Sequence, residues 1–401
     1  MIAGTLNLHL NESLRSKAVT AATAIGDRLL VELKDTDTDA EYEERAPSRG
    51  FGSSCGYAVL YAALAQATGE QRFTEAMRAH IRVAASLGDR PGIGVHSGMS
   101  GLRAALAYVS PMEPGAGALI ARCDAYIDGF ADQFDTVAQN YHDYDLLYGW
   151  AGTRLARCLD GPLPRDRWTD MMVRLLEDES HWLCPHPVKP DEPSEHSLGF
   201  AHGAPGVATA LALSLDEIDD VAAAAITRAL NFVISYKQIR NGLITWPHTA
   251  QDPEPMRFRA AWCFGSAGVA LALAQCGTHL QNREWLDLAH ATFASMLEVP
   301  VKRWELGELN LCHGKIGIAL IFRRASQLLG DVRFFERAVQ LLSETIDDLR
   351  LSRYRQITHG FDGLRFDSLG TLTGIAGVAL GLLDLADAAD GRWKLLYGIS
   401  S

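Results

Sequence analysis

"CFGSAGVALALA", residues 263–274, combines two glycines three positions apart with an uninterrupted run of Ala, Val and Leu. Glycine permits tight turns and the close approach of a second backbone. A helix that is apolar on every side is a buried helix. This stretch therefore predicts a turn that leads directly into a helix in the interior of the protein.

The same pattern recurs along the whole 401-residue chain. The other clear copies are HSGMSGLRAALAYV from residue 96, LLYGWAGTRLARCL from 146, FAHGAPGVATALAL from 200, CHGKIGIALIF from 312 and LTGIAGVALGLL from 372. A weaker relative, SSCGYAVLYAALA, begins at residue 53. The first glycines of successive clear copies are 49 to 62 residues apart, and a recurring period of this size indicates a repeat architecture.

Amphipathic helices are predicted between the copies, for example in RFTEAMRAHIRVAASL and RWTDMMVRLLEDES. Each repeat is thus one inner and one outer helix. An open solenoid needs polar caps at its ends, but the last copy is among the most apolar and no polar cap follows it. We expect an all-α protein, an α/α toroid of about seven inner and seven outer helices with its glycine turns at one mouth.

No linker rich in Pro, Gly or Ser divides the chain, so we expect a single domain over residues 1–401. Two less helical segments, 234–262 and 350–370, are interpreted as loops or short strands over the mouth.

Composition narrows the classes of function. The net charge of -12 and the lack of a basic run argue against binding of nucleic acid or anionic lipid. The N-terminus has neither a basic nor an apolar signal region, and no stretch approaches 18 consecutive apolar residues. Seven cysteines, an odd number without regular close spacing, are expected to be thiols in a reducing compartment. We expect a cytoplasmic protein, with membrane association only through partners.

Four of the six clear copies place a Cys or a His just before the glycine pair. Closure of the ring would bring these turns together. Cys263, Cys312 and His313 then form a set of two thiolates and one imidazole, which suits one zinc ion with an open fourth position. The alternative is that the two cysteines are small core residues. The remaining five cysteines lack this context and are expected to lie in the core.

Three further residues are candidates for catalysis. His202 occupies the equivalent turn one repeat earlier and is a candidate acid/base or a fourth ligand, with a structural histidine as the alternative. Asp145 precedes its glycine by four residues and either orients His202 or another proton carrier, or caps a helix. Arg259 stands four residues before Cys263 and either stabilises an oxyanion or lies on the surface. His96 and His359 are left outside the site.

The motifs FAHGAPG, RAAWCFG and LCHG resemble those of the lanthionine synthetase C-like family, the lanthipeptide cyclases. The resemblance extends along nearly the whole chain. It implies a toroid of paired helices with zinc ligands at Cys263, Cys312 and His313, a proton-transfer role for His202, and roles for Asp145 and Arg259. One departure is Phe264, where the family often has Tyr.

The resemblance implies an intramolecular Michael addition, in which Cys thiols of a precursor peptide add to dehydroalanine or dehydrobutyrine and form thioether rings. The implied partners are the dehydrated precursor, with its leader and core, a dehydratase that prepares it, and an exporter. Two other functions stay open. A protein prenyltransferase also activates a peptide thiol with zinc, but its ligand set includes a carboxylate for which the sequence indicates no position. A non-catalytic, zinc-stabilised scaffold that binds peptides or glutathione would not need His202 and Asp145.

Overall fold

The computed structural model describes residues 9–35, 50–86, 92–131, 138–186, 191–252, 259–306, 309–351 and 369–400. Within these residues the chain is predominantly helical, and its helices alternate between an inner and an outer layer. The inner helices are α2 (Ser54–Thr68), α4 (Met99–Val109), α6 (Trp150–Arg157), α8 (Ala204–Ser214), α10 (Ser266–His279), α12 (Lys315–Leu329) and α14 (Ile375–Leu385). The outer helices are α1 (Glu12–Asp35), α3 (Gln71–Ser86), α5 (Ala116–Ala131), α7 (Arg167–Glu177), α9 (Asp220–Ser235), α11 (Arg283–Glu298) and α13 (Val332–Leu351).

The inner helices form a closed ring. Each packs against the next along the chain, and α14 packs against both α12 and α2. The outer helix α1 also closes the ring, since it contacts α13 and α14 as well as α2. The predicted α/α toroid is therefore confirmed, with seven inner and seven outer helices in the part of the chain that the structure describes.

Burial explains the division into two layers. Every residue of α8 is buried, as the apolar run predicted, whereas the outer helix α3 buries only Phe73, Met77 and Ala84 along one face. Glycine is needed where each inner helix begins. Gly265 has a φ of 86°, and a Cβ there would lie 1.6 Å from the carbonyl oxygen of Arg259. A Cβ at Gly268 would lie 2.2 Å from the carbonyl oxygen of Trp262. Any larger residue would push the turn away from its helix.

Hydrogen bonds between neighbouring turns hold the mouth of the ring together. In each bond but the last, a backbone N–H of one repeat donates to a carbonyl oxygen of the next repeat, and the last is made by a threonine hydroxyl. The pairs are Phe51 to Val95, His96 to Leu147, Leu146 to Ala201, Ala201 to Cys263, Cys263 to Cys312, Cys312 to Leu372, and Thr371 to Phe51. The residues that precede the glycine pairs are consequently gathered around one opening.

The first of the two less helical segments contains a short antiparallel hairpin. Its strands are β1 (Gln238–Arg240) and β2 (Leu243–Thr245), and Gln238 lies opposite Thr245. Asn241 and Gly242 form the turn with φ values of 52° and 87°, as expected for a tight hairpin. Most of the second segment, residues 352–368 with His359, lies outside the described residues. None of the described helices is both long and apolar enough to cross a lipid bilayer.

Candidate functional site

Cys263, Cys312 and His313 form a compact cluster at the mouth. Each offers one ligand atom, and these three atoms lie within 4.8 Å of one another. Cys263 and His313 are buried, whereas Cys312 is half-buried, so the cluster is not sealed from solvent. Two sulfur atoms and one imidazole nitrogen at this separation suit zinc, and three protein ligands leave one position open.

The turns that begin α10 and α12 position this cluster. The N–H of Cys263 donates to the carbonyl oxygen of Cys312 over 3.3 Å, which ties the two turns together. The side chain of Asn310 fixes the second turn from both sides, because its Oδ1 accepts from the N–H of His313 at 3.0 Å and its Nδ2 donates to the carbonyl oxygen of Thr373 at 3.3 Å. Sequence reasoning missed Asn310, since nothing marked this amide as different from a loop residue.

The surroundings favour the thiolate form of Cys263. A hydrogen bond with the Cys312 side chain holds the pKa of Cys263 well below its ordinary value; burial opposes this shift, and His313 and Arg259 reinforce it. In contrast, burial raises the pKa of Cys158 to about 11 and the pKa values of Cys184 and Cys276 to about 12. The thiolate is the form of cysteine that binds metals, so Cys263 differs chemically from these three buried cysteines.

The five cysteines that were expected in the core are indeed buried free thiols, at positions 55, 123, 158, 184 and 276. Arg259 acts on the metal-ligating cluster through its charge. Burial is the main cause of the lowered pKa of His248, and the positive charge of Arg259 adds to it. The same charge makes a smaller contribution to the lowered pKa of Cys263, after those of Cys312 and His313. The carbonyl oxygen of Arg259 also accepts from the N–H of Ser266 at the start of α10.

Asp145 and His202 form a hydrogen-bonded pair, in which Nδ1 of His202 lies 2.7 Å from Oδ2 of Asp145. The other carboxylate oxygen, Oδ1, accepts from three backbone N–H groups, those of Leu147, Tyr148 and Gly149. Asp145 therefore both caps its turn and orients His202, the two roles that the sequence offered as alternatives. A carboxylate accepts hydrogen bonds, so Nδ1 is the ring nitrogen of His202 that donates to Asp145.

His142 is a further member of this site that sequence reasoning missed. Its ligand atom lies within 4.8 Å of those of Asp145 and His202. Burial, together with the nearby His202, lowers the pKa of His142, while Asp145 opposes the shift. The ring of His142 contacts the ring of Tyr148 with centroids 4.4 Å apart. The only signal in the sequence was its position three residues before Asp145.

Phe264 lies between the two clusters. It directly follows Cys263 in the chain, its ring stacks on His248 with centroids 4.5 Å apart, and it contacts His202 at 6.1 Å. His96, which was left outside the site, packs edge-on against Tyr148. Burial lowers the pKa of His96 to about 4, so it is neutral near pH 7.

Comparison with known proteins agrees with this architecture. A family model described as "Lanthionine synthetase C-like protein" matches residues 52–396, a range that contains every candidate site residue. Among solved structures, one named "Nisin cyclase" is similar, with a TM-score of 0.77 and 16% sequence identity. The similarity covers 93% of this chain and 96% of that chain. At this level of identity, the likeness to that structure establishes the fold alone.

Proposed function

The chain belongs to the lanthionine synthetase C-like family, whose model matches most of its length, and from this premise we propose that it is a zinc-dependent lanthipeptide cyclase. The proposed reaction joins a Cys thiol of a precursor peptide to the β-carbon of a dehydroalanine or dehydrobutyrine in the same peptide. A thioether ring results.

One observation carries the proposal: a set of two sulfurs and one imidazole lies at the same mouth as a histidine oriented by a buried carboxylate. The chemistry of the donor set fits zinc, and the depressed pKa of Cys263 fits a thiolate ligand. Cys263, Cys312 and His313 would hold the ion. Bound there, zinc would activate the substrate thiol near neutral pH, where a free Cys with a pKa of about 8.5 is mostly protonated.

In the proposed mechanism, His202 and Asp145 transfer the proton, and Arg259 stabilises the developing negative charge. His202 accepts the thiol proton at Nε2, and Asp145 stabilises the resulting imidazolium through Oδ2. When the carbon–sulfur bond forms and the alkene π bond breaks, negative charge develops on the carbonyl oxygen of the dehydrated residue. Arg259 lies near the metal-ligating cluster and stabilises this enolate. His202 then returns the proton to the α-carbon, so the product keeps the mass of the substrate.

Phe264 has no hydroxyl to offer to the substrate. Its ring packs against His248 and His202, and we propose that it serves as an apolar wall that keeps water from the enolate. The proposed function also implies a dehydratase that prepares the peptide, an exporter and a location in the cytoplasm. A single domain over residues 1–401 is proposed separately, because no linker divides the sequence.

The test is incubation of the purified protein with a dehydrated precursor peptide, followed by alkylation of the remaining thiols and fragmentation. We expect alkylated cysteines to disappear faster than in an enzyme-free control, with defined rings and no change in peptide mass. Removal of zinc with a chelator should abolish the acceleration, and added zinc should restore it. In a parallel incubation with an isoprenoid diphosphate, a prenyltransferase would transfer the isoprenoid to the thiol, release diphosphate and add mass to the peptide. Equal rates and identical rings with and without the protein would identify a binding scaffold and reject the cyclase.

A further inference from the structure

A second group of metal-ligating side chains lies at the same mouth. His142, Asp145 and His202 each offer one ligand atom, and these atoms lie within 4.8 Å of one another. Two imidazole nitrogens and a carboxylate oxygen are a donor set that divalent transition metals accept. We propose that this cluster is a second metal site. It binds a divalent transition-metal ion when zinc is in excess, and the bound ion inhibits ring closure. The inhibition, but not the metal binding, rests on the proposed function.

The backbone fixes two of the three ligands before any metal binds. His142 lies in a 3-10 turn capped by Asn140, whose Oδ1 accepts from the N–H of His142 at 2.9 Å. Asp143 completes the cap, since its Oδ2 accepts from the N–H of Asn140 at 3.2 Å. Asp145 follows in the same segment, with its Oδ1 held by three backbone N–H groups. Its Oδ2 therefore faces His202, in a carboxylate that is already immobilised.

The charge of Asp145 also favours a cation. Its carboxylate is buried at 1% exposure, and burial of a charge is costly unless the charge is paired. Within the described ranges, no Lys or Arg forms an ion pair with Asp145; its ion-pair partner within 4.0 Å is His202, and His142 lies slightly farther away. A divalent ion would supply the missing positive charge without requiring protonation of His202.

Binding requires a small rearrangement. Nδ1 of His202 and Oδ2 of Asp145 are 2.7 Å apart, the length of a hydrogen bond. Ligands about 2.0–2.2 Å from a tetrahedral ion are roughly 3.3 Å apart, so the pair must open by about 0.6 Å. The metal takes the place of the proton at Nδ1, and the imidazole stays neutral because that proton moves to Nε2. An Nε2 that already carries a proton does not accept one from the substrate thiol, and this is the reason that we expect inhibition.

The two sites differ in ligand softness, and this difference makes them separable. Two thiolates bind zinc more strongly than a set that must first break a hydrogen bond, so the site at Cys263, Cys312 and His313 fills first. Co²⁺ is a suitable probe, because only a thiolate-ligated ion gives intense sulfur-to-metal charge-transfer absorption in the near ultraviolet. We expect the metal-free full-length protein to bind one equivalent of Co²⁺ with this band and a second equivalent without it.

His142→Asn should keep the first equivalent and lose the second, and His202→Asn should do the same by removing a different ligand. His186→Asn is the matched control, since its Nε2 is engaged by the Tyr141 hydroxyl at 2.9 Å, and it should bind both equivalents. A Cys263→Ala, Cys312→Ala double variant should bind one equivalent without the charge-transfer band. This last result does not depend on cyclase activity.

Saturation of the natural protein at one equivalent would overturn the second site, as would retention of the second equivalent by both histidine variants. For the inhibition, excess zinc should slow ring closure by at least about tenfold, because loss of a general base typically costs 100-fold or more. For the His142→Asn variant, excess zinc should lower the rate of ring closure by less than about twofold relative to the rate of the same variant without excess zinc. A second equivalent that binds without slowing ring closure would leave the site in place and reject its inhibitory effect.

Discussion

Both clusters at the mouth contain histidine, but the surroundings of the imidazoles differ. In the first, His313 lies with two sulfurs, a donor set that suits zinc. In the second, a carboxylate hydrogen-bonds His202 and fixes which nitrogen is free. The difference teaches that the neighbours of an imidazole, rather than the imidazole itself, determine the chemistry for which it is suited: two sulfurs favour a permanently bound zinc, and a hydrogen-bonded carboxylate favours proton transfer.

The largest effect should come from the first cluster. Cys312→Ala removes one of two sulfur ligands, so we expect zinc content to fall from one per chain to near zero and ring closure to fall to the uncatalysed rate. Metal analysis and the alkylation assay measure these changes. Cys276→Ala is the matched control, because this buried thiol has a raised pKa and lies on α10 away from the cluster. Full zinc content in Cys312→Ala would remove it from the ligand set.

A change in the second cluster should separate zinc binding from catalysis. His202→Ala should retain the zinc held by the first cluster and lose ring closure by about 100- to 10,000-fold, the usual contribution of a general acid/base. Loss of that zinc would instead make His202 a ligand of the first site. An unchanged rate of ring closure would exclude it from proton transfer.

Replacement of the carboxylate should have a smaller effect. Asp145→Asn keeps an oxygen for the N–H groups of Leu147, Tyr148 and Gly149 but removes the charge that stabilises a protonated His202. We expect ring closure to slow by about 10- to 100-fold, which is less than the 100- to 10,000-fold expected for loss of the acid/base itself, with little change in the peptide concentration that gives half-maximal rate. A change confined to that concentration would make Asp145 a residue of peptide binding.

The smallest effect concerns the stability of the protein in acid, and it tests the buried His96 at the mouth. Burial lowers the pKa of His96 to about 4, whereas an unfolded histidine titrates near 6.5. The unfolded state thus binds more protons between these values, so the stabilising contribution is complete above pH 6.5 and is lost as pH falls towards 4. Urea denaturation measures the free energy of unfolding at each pH. Between pH 6.5 and 4, this free energy should decrease by about 1–3 kcal/mol less in His96→Gln than in the unsubstituted protein. An identical pH dependence in both proteins would show that His96 is not responsible.

Much of the site could be predicted from the sequence, because equivalent positions in successive repeats lie at the same mouth of the ring. Cys263, Cys312, His313 and His202 all stand directly before a glycine pair, so the alignment of repeats predicted that they meet. Asp145 stands at a different offset, and for it the sequence offered two roles without choosing. The structure shows both roles, since one carboxylate oxygen caps the turn and the other binds His202.

Residues that do not share the repeat position escaped prediction. His142 lies on a capped turn ahead of the repeat motif, and its approach to His202 depends on the packing of α6 against α8. Asn310 and His248 gave no local signal, because an amide or an imidazole in a loop is ordinary. They matter through their contacts with other turns: Asn310 bonds to His313 and Thr373, and His248 stacks on Phe264.

Local chemistry along the chain was sufficient to predict the helical repeats, their inner and outer layers and the residues at each turn, because apolar periodicity and paired glycines act within a few neighbouring residues. The lack of a polar cap after the last repeat predicted that the ring closes, but the contacts that close it join distant parts of the chain, such as the bond from the Thr371 hydroxyl to the carbonyl oxygen of Phe51. The distances within the two clusters arose in the same way, since the angle at which each inner helix packs on the next sets where its turn points. That angle depends on side chains from several repeats at once, and no single segment encodes it.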